Sequence, residues 1–199
     1  MTALIWVLIG FLLGALPTSV WLGRLVLHTD IRSYGDGNPG GTNVIRAGGR
    51  ELGLIVILLD MLKGAIPVAL AYYAFRVDGW PLAPVILAPI AGHAFSPFLG
   101  FRGGKALATT LGVWTAVTAP VGPFIMGGSA LLFYRLLNAP GWAVMASLLV
   151  LLVFLLVAGA SLPVLGAWLG TVAILVWTHR DDLAQRPALR SKSRGVSQR

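Results

Sequence analysis

The sequence predicts an all-α integral membrane protein of about seven transmembrane helices with short polar loops, its N-terminus outside and its C-terminus cytoplasmic. Three observations lead there. Of 199 residues, 57% are hydrophobic and 11% charged, with a mean hydropathy of +0.83, which leaves too little polar surface for a water-soluble domain. A hydrocarbon core of roughly 30 Å takes about 20 helical residues to cross, so this length holds about five to seven spans and little else. Lysine and arginine gather in the loop 24–50, the cluster 102–105 and the tail, whereas Arg76 stands alone on the other side. Basic residues stay cytoplasmic, and placing all three groups there requires an odd number of crossings. The +8 net charge then reports topology and attraction for anionic lipid or substrate, with no nucleic-acid partner.

The first apolar span is 4–22, retained because no small-residue processing site leads into a polar mature domain, and Pro17 is expected to kink its last turns. The second span, 52–75, carries Asp60 and Lys63 at i, i+3, on one helical face, where they pair as a structural ion pair or as part of a site. Arg76, Asp78 and Gly79 make the external turn. The third span, 82–99, is proline-rich and runs into Phe101-Arg102-Gly103-Gly104-Lys105. Segments 107–125 and 124–137 meet at an ill-defined Gly/Pro boundary, and Asn138-Ala139-Pro140-Gly141 makes a turn. Spans 142–159 and 161–178 complete a single polytopic domain over 1–178. Residues 179–199, with six Lys or Arg against two Asp, form a basic cytoplasmic tail, disordered near its end.

Chemistry must therefore sit in loops and at helix ends. The chain has no cysteine, which excludes thiol nucleophiles and thiolate metal sites, and His28, His93 and His179 lack metal-ligand spacing. No protein-built metal site and no cofactor are expected. The loop from Asp30 to Arg46 concentrates Gly35, Gly37, Gly40, Gly41, Pro39, Asn38 and Asn43 in a chain that is otherwise mostly hydrocarbon. Glycines let backbone N–H groups converge on an anion, and Arg46 offers a fork for two phosphate oxygens. The same composition also suits a plain connector between two membrane helices. Gly35-x-Gly37-x-x-Gly40 lacks the flanking strand of a dinucleotide fold, and no Gly-Lys-Ser/Thr closes a Walker loop. Gly103 and Gly104 precede a helix start, where the helix dipole and Lys105 make a second anion site on the same face.

The chain resembles the PlsY family of membrane acyl-phosphate:glycerol-3-phosphate acyltransferases along nearly its whole length. The motifs are Gly14-Ala15-Leu16-Pro17-Thr18-Ser19 with Gly23-Arg24, Asp30-Ile31-Arg32, Gly37-Asn38-Pro39-Gly40 and Thr42-Asn43-Val44-Ile45-Arg46. They continue through Leu59-Asp60-Met61-Leu62-Lys63-Gly64, Gly92-His93-Ala94-Phe95, Phe101-Arg102-Gly103-Gly104-Lys105 with Ala108-Thr109, and His179-Arg180. The resemblance implies seven helices in the bacterial inner membrane, with the site at the cytoplasmic surface. It implies long-chain acyl phosphate as donor, glycerol 3-phosphate as acceptor, lysophosphatidic acid and phosphate as products, and no covalent acyl-enzyme. It also implies no acyl carrier protein or coenzyme A at the chemical step, and the enzyme that supplies the acyl phosphate as a partner.

In that reading Arg46, Lys105, Arg102 and the backbone of Gly37, Gly40, Gly41, Gly103 and Gly104 neutralise two phosphates. Asn38, Thr42 and Asn43 bind substrate, and His179 orients the acceptor or takes its proton. Three positions depart from the family pattern: Asp36 replaces the usual Ser, Ala106 a Gly, and Asp182 an Asn. Asp36 is expected to accept from the acceptor hydroxyl, or to be neutralised by Arg32 or Arg46; either acid is otherwise protonated or bridged by a metal. The rival reading is a non-catalytic relative that binds a phospholipid or phosphorylated metabolite. A transporter is a third, although no fixed-period repeat is apparent.

Overall fold

The computed structural model describes residues 1–119 and 121–190, and regular structure among them is helical apart from one isolated antiparallel bridge, Leu137 to Leu189. Four stretches are long and apolar enough to cross a membrane: Thr2–Val26, Arg50–Ala74, Leu82–Leu99 and Pro140–Val157. Three shorter apolar helices stand with them, Leu107–Thr118, Phe124–Leu136 and Leu162–Thr178. Leu4, Leu8, Leu12, Leu58, Leu149 and Val153 point outward, while Ile86, Ile90, Trp114, Met126, Leu151 and Leu175 fill the interior. An apolar exterior around an apolar core is what lipid as a solvent allows.

The first span is two helices rather than one kinked helix: α1 (Thr2–Ala15) and α2 (Thr18–Val26). A residue before proline is pushed out of the helical region, and Leu16 sits at φ −58°, ψ 119°. The carbonyls this break frees are taken inside the protein: Lys63 Nζ donates to Leu16 O at 2.9 Å and Ser96 Oγ to Ala15 O at 2.6 Å.

The short helix α3 (Gly41–Arg46) lies within the first polar loop, and α4 (Arg50–Ala69) continues through a π-helical turn at Leu70–Ala74 just beyond Pro67. Helix α5 (Leu82–Ala94) stops at Ala94 rather than at 99, because Ser96 precedes Pro97 in an extended conformation and Pro97–Leu99 form a 3₁₀ turn. Helix α6 (Leu107–Thr118) ends, and helix α7 (Val121–Leu136) begins, earlier than the expected boundary near 124. With 12 residues, α6 rises only about 18 Å. Helix α8 (Pro140–Val157) and helix α9 (Leu162–Thr178) match their expected ranges, and α10 (Arg180–Leu183) follows.

Residues 184–190 return along the α7–α8 turn, where Asn138 N donates to Ala188 O at 3.0 Å and Arg190 N to Leu136 O at 2.8 Å. The expected disorder of the tail falls on 191–199, outside the described residues.

Small residues set the closest crossings. A Cβ at Gly14 would strike the Pro89 backbone and one at Gly92 the Phe11 backbone, so α1 and α5 meet main chain to main chain. Gly64 and Gly112 do the same between α4 and α6, against Thr109 and Met61. These crossings bring the loop 30–40 and the loop 101–106 out at the same end.

Candidate active site

The first loop is held by its own polar groups. Asp30 accepts from Arg32 Nε at 3.0 Å, Arg32 NH2 at 2.7 Å and Arg24 NH2 at 2.8 Å. The Arg32 guanidinium, aided by Arg24 and opposed by burial, holds the Asp30 carboxyl far below the usual carboxylate range. Gly35 turns the chain at φ +57°, where a side chain would collide with Arg46 and Asn43. Behind it, Asn43 Nδ2 donates to Asp36 Oδ1 at 3.0 Å and to Asn38 O at 2.9 Å, and Asn43 Oδ1 accepts from Arg46 NH1 at 2.9 Å.

The second loop hangs from the end of α5: Gly103 N donates to Ala94 O and Gly104 N to His93 O, both at 3.0 Å. Its contact with the first loop is Lys105 N donating to Asn38 Oδ1 at 2.9 Å. Lys105 Nζ then stands 2.9 Å from Asp36 Oδ2 and 2.9 Å from Asp182 Oδ2. Burial alone would lower the lysine's pKa, but the two carboxylates outweigh it and hold Lys105 above its ordinary value, a fixed ammonium. The same opposition acts on Asp36, where burial pushes up and Lys105 pulls further down, leaving a carboxylate below its usual range. Asp36 is thus neutralised by Lys105. Arg46 stands further off at 3.8 Å, and Arg32 is engaged by Asp30.

His179 is buried at the junction of α9 and α10, with Nδ1 2.9 Å from Leu175 O. A carbonyl only accepts, so Nδ1 carries the proton and Nε2 keeps the lone pair, although His179 itself does not line the cavity described below. Burial first, then the charge of Lys105, lowers the pKa and keeps the ring neutral near pH 7.

Most of the amides expected to cradle an anion are taken within the protein. Gly37 N is bonded to Tyr34 O, Asn38 N to Asp36 Oδ1, and Gly40 N to Asn38 O, so the loop spends its donors on its own shape. Gly41 serves packing: a Cβ there would meet Gly53 O of α4 at 2.6 Å. Thr42 is exposed on α3, and Arg102 is exposed, its N–H bonded to Leu99 O.

A cavity of about 680 Å³ opens here, lined by Asp36, Gly37, Asn38 and Arg102 to Lys105. Arg32, expected near Asp36, also lines it, as do Trp177, Arg180 and Asp181, which the sequence had not assigned there. Arg180 stacks on Trp177 at 4.9 Å; its adjacency to His179 was the available signal. The expected pair in α4 does form, Lys63 Nζ lying 2.7 Å from Asp60 Oδ1, buried behind the loops.

Residues 4–186 match the family described as Glycerol-3-phosphate acyltransferase. The chain is 36% identical over 186 residues to a glycerol-3-phosphate acyltransferase of Aquifex aeolicus, covering 92% of this chain and 94% of that one. With the enzyme of that name from Rubrobacter xylanophilus it shares 39% over 186 residues, covering 92% and 90%. Two crystal structures of PlsY (YgiH), an integral membrane glycerol 3-phosphate acyltransferase, superpose over 92% of this chain and 91% of theirs. The glycerol 3-phosphate form does so with TM-score 0.84 at 34% identity, and the lysophosphatidic acid form with 0.83 at 33%. An all-helical chain with several apolar spans, similar along nearly its whole length to these enzymes in both sequence and structure, belongs to the PlsY family of integral membrane glycerol-3-phosphate acyltransferases.

Proposed function

We propose that the protein moves a fatty acyl group from acyl phosphate to glycerol 3-phosphate, giving lysophosphatidic acid and inorganic phosphate. The observation that carries this reading is the meeting of Lys105 with Asp36 and Asn38 on the wall of one cavity, with Asp182 bound to the same ammonium and Arg46 beside Asp36. Two phosphate-bearing substrates held in contact need fixed cations to offset their repulsion, and an activated donor needs positioning more than a strong base. The acceptor hydroxyl oxygen bonds to the acyl carbonyl carbon, the bond from that carbon to the phosphate oxygen breaks, and phosphate leaves with the electron pair. His179 Nε2 takes the hydroxyl proton, and Asp36 and Asp182 orient the acceptor hydroxyls.

The test is turnover by purified protein in lipid or detergent with long-chain acyl phosphate and glycerol 3-phosphate. Lysophosphatidic acid and phosphate should appear in equal amounts. Because the pKa of His179 is lowered, its neutral form persists to lower pH, and the acid limb of kcat should lie below the ordinary histidine value of about 6.5. An acid limb at or above 6.5 removes His179 as the base. Wild-type turnover no greater than that of Lys105→Ala, under conditions where another family member works, leaves the non-catalytic reading.

The topology belongs to the same proposal: seven crossings of the bacterial inner membrane in one polytopic domain, the site and basic tail cytoplasmic, the N-terminus outside. It rests on the distribution of Lys and Arg. In intact cells a cysteine at Ser33 should resist an impermeant thiol reagent while one at Asp78 reacts. The opposite pattern reverses the topology.

A further inference from the structure

Behind the loop that carries Lys105 lies a buried ionic cluster that the chemistry above does not use. Asp60, Lys63 and His93 are 3%, 9% and 8% exposed, inside segments whose other interior residues are largely apolar. Asp60 Oδ1 accepts from Lys63 Nζ at 2.7 Å and from Thr18 Oγ1 at 2.8 Å, and His93 Nδ1 stands 4.0 Å from the same oxygen. His93 Nδ1 is also 3.1 Å from Thr109 Oγ1, in the first turn of α6. The cluster therefore ties together the α1–α2 break, α4, α5 and α6.

Charge buried this way adds little net stability, since well-packed apolar residues of similar volume are often as good or better. What the cluster does reach is the second loop. His93 touches that loop from both sides: its carbonyl accepts the Gly104 N–H at 3.0 Å, and its ring fills the space a Gly104 side chain would need. Through Thr109 the same ring is bonded just beyond the loop's other end, and a small void beneath is lined by Asp60, Lys63, His93, Pro39 and Gly104.

We infer that the Asp60–Lys63–His93 cluster is a positioning platform that holds the Gly103–Lys105 loop against the first loop, so that Lys105 faces the phosphates of the substrates. His93 acts through Gly104 and Lys105 and touches no substrate. The inference rests on the proposed reaction for the identity of its phosphate ligands, so affinity and turnover are read separately.

Binding of glycerol 3-phosphate and of inorganic phosphate to the purified full chain is measured by calorimetry, with thermal unfolding alongside. His93→Ala should weaken both ligands by about tenfold or more with little change in unfolding temperature. His93→Asn, which keeps a polar group near Nδ1, should recover most of that loss. Gly104→Ala, which drives a methyl group into the His93 ring, should bind poorly, and Gly104→Ala with His93→Asn should bind better than Gly104→Ala alone. Wild-type affinity in His93→Ala, or no relief in the double variant, overturns the platform. If His93→Ala does not fold, the Gly104 pair decides alone. A wild type that binds these ligands but never turns over, with the His93 effect intact, sinks the reaction and keeps the platform.

Discussion

Replacing Lys105 with alanine is expected to cut kcat/KM on the order of 10²- to 10³-fold, the scale set by removing one preorganised donor from a site of charge development. The loss has two parts. The ammonium that neutralises phosphate disappears, and Asp36 and Asp182, each 2.9 Å from it, lose their shared cation, leaving Asp36 only Arg46 at 3.8 Å. Two carboxylates beside two phosphates repel both substrates. The parts are separable, because Lys105→Ala combined with Asp36→Ser and Asp182→Asn removes the repulsion without restoring the cation. That triple variant should regain about tenfold in affinity for glycerol 3-phosphate over Lys105→Ala and remain slow. Steady-state kinetics on the three proteins check it, and wild-type kinetics in Lys105→Ala would end the two-anion account.

A second large effect is expected from a single methyl group at Gly103. Its Cβ would collide with His93 O and sit 2.7 Å from Ala94 O, the carbonyl that now accepts the Gly103 N–H. Backbone on both sides leaves no flexible side chain to yield, so the loop must retreat and carry Lys105 with it. A displacement of about 1 Å at a positioning group costs on the order of 10²-fold in rate. Gly128→Ala is the control, since a Cβ there meets nothing within 4 Å and alanine gains about 1 kcal/mol of helix propensity. Gly103→Ala should lose activity at an unfolding temperature close to that of wild type, and Gly128→Ala should keep full activity. Equal kinetics in the two variants would show that the loop tolerates displacement.

The helical membrane class, the polar loops and part of the cavity lining, Asp36 to Asn38 and Arg102 to Lys105, were legible in the chain itself, for physical reasons. Lipid forbids unpaired backbone, so long apolar runs have few alternatives to helix, and charge is costly enough there that its clustering marks a loop or a site. Asp60 and Lys63 are legible as a pair because α-helical spacing alone brings i and i+3 together.

Contacts distant in sequence were decided by tertiary structure. Pro17 announces a disturbance, but a full break is tolerated because Lys63 and Ser96, from α4 and the end of α5, take the freed carbonyls. The end of α5 at Ala94 is set likewise, since its last carbonyls receive Gly103 and Gly104 from the next loop. Glycine content suggested an amide cradle, yet Gly37, Gly40, Gly103 and Gly104 close their N–H groups on the chain itself. Charge on Asp36 and Asp182 read as repulsion in one dimension, because their shared partner lies 77 residues from Asp182 and only the packing of α5, α6 and α9 brings Lys105 between them.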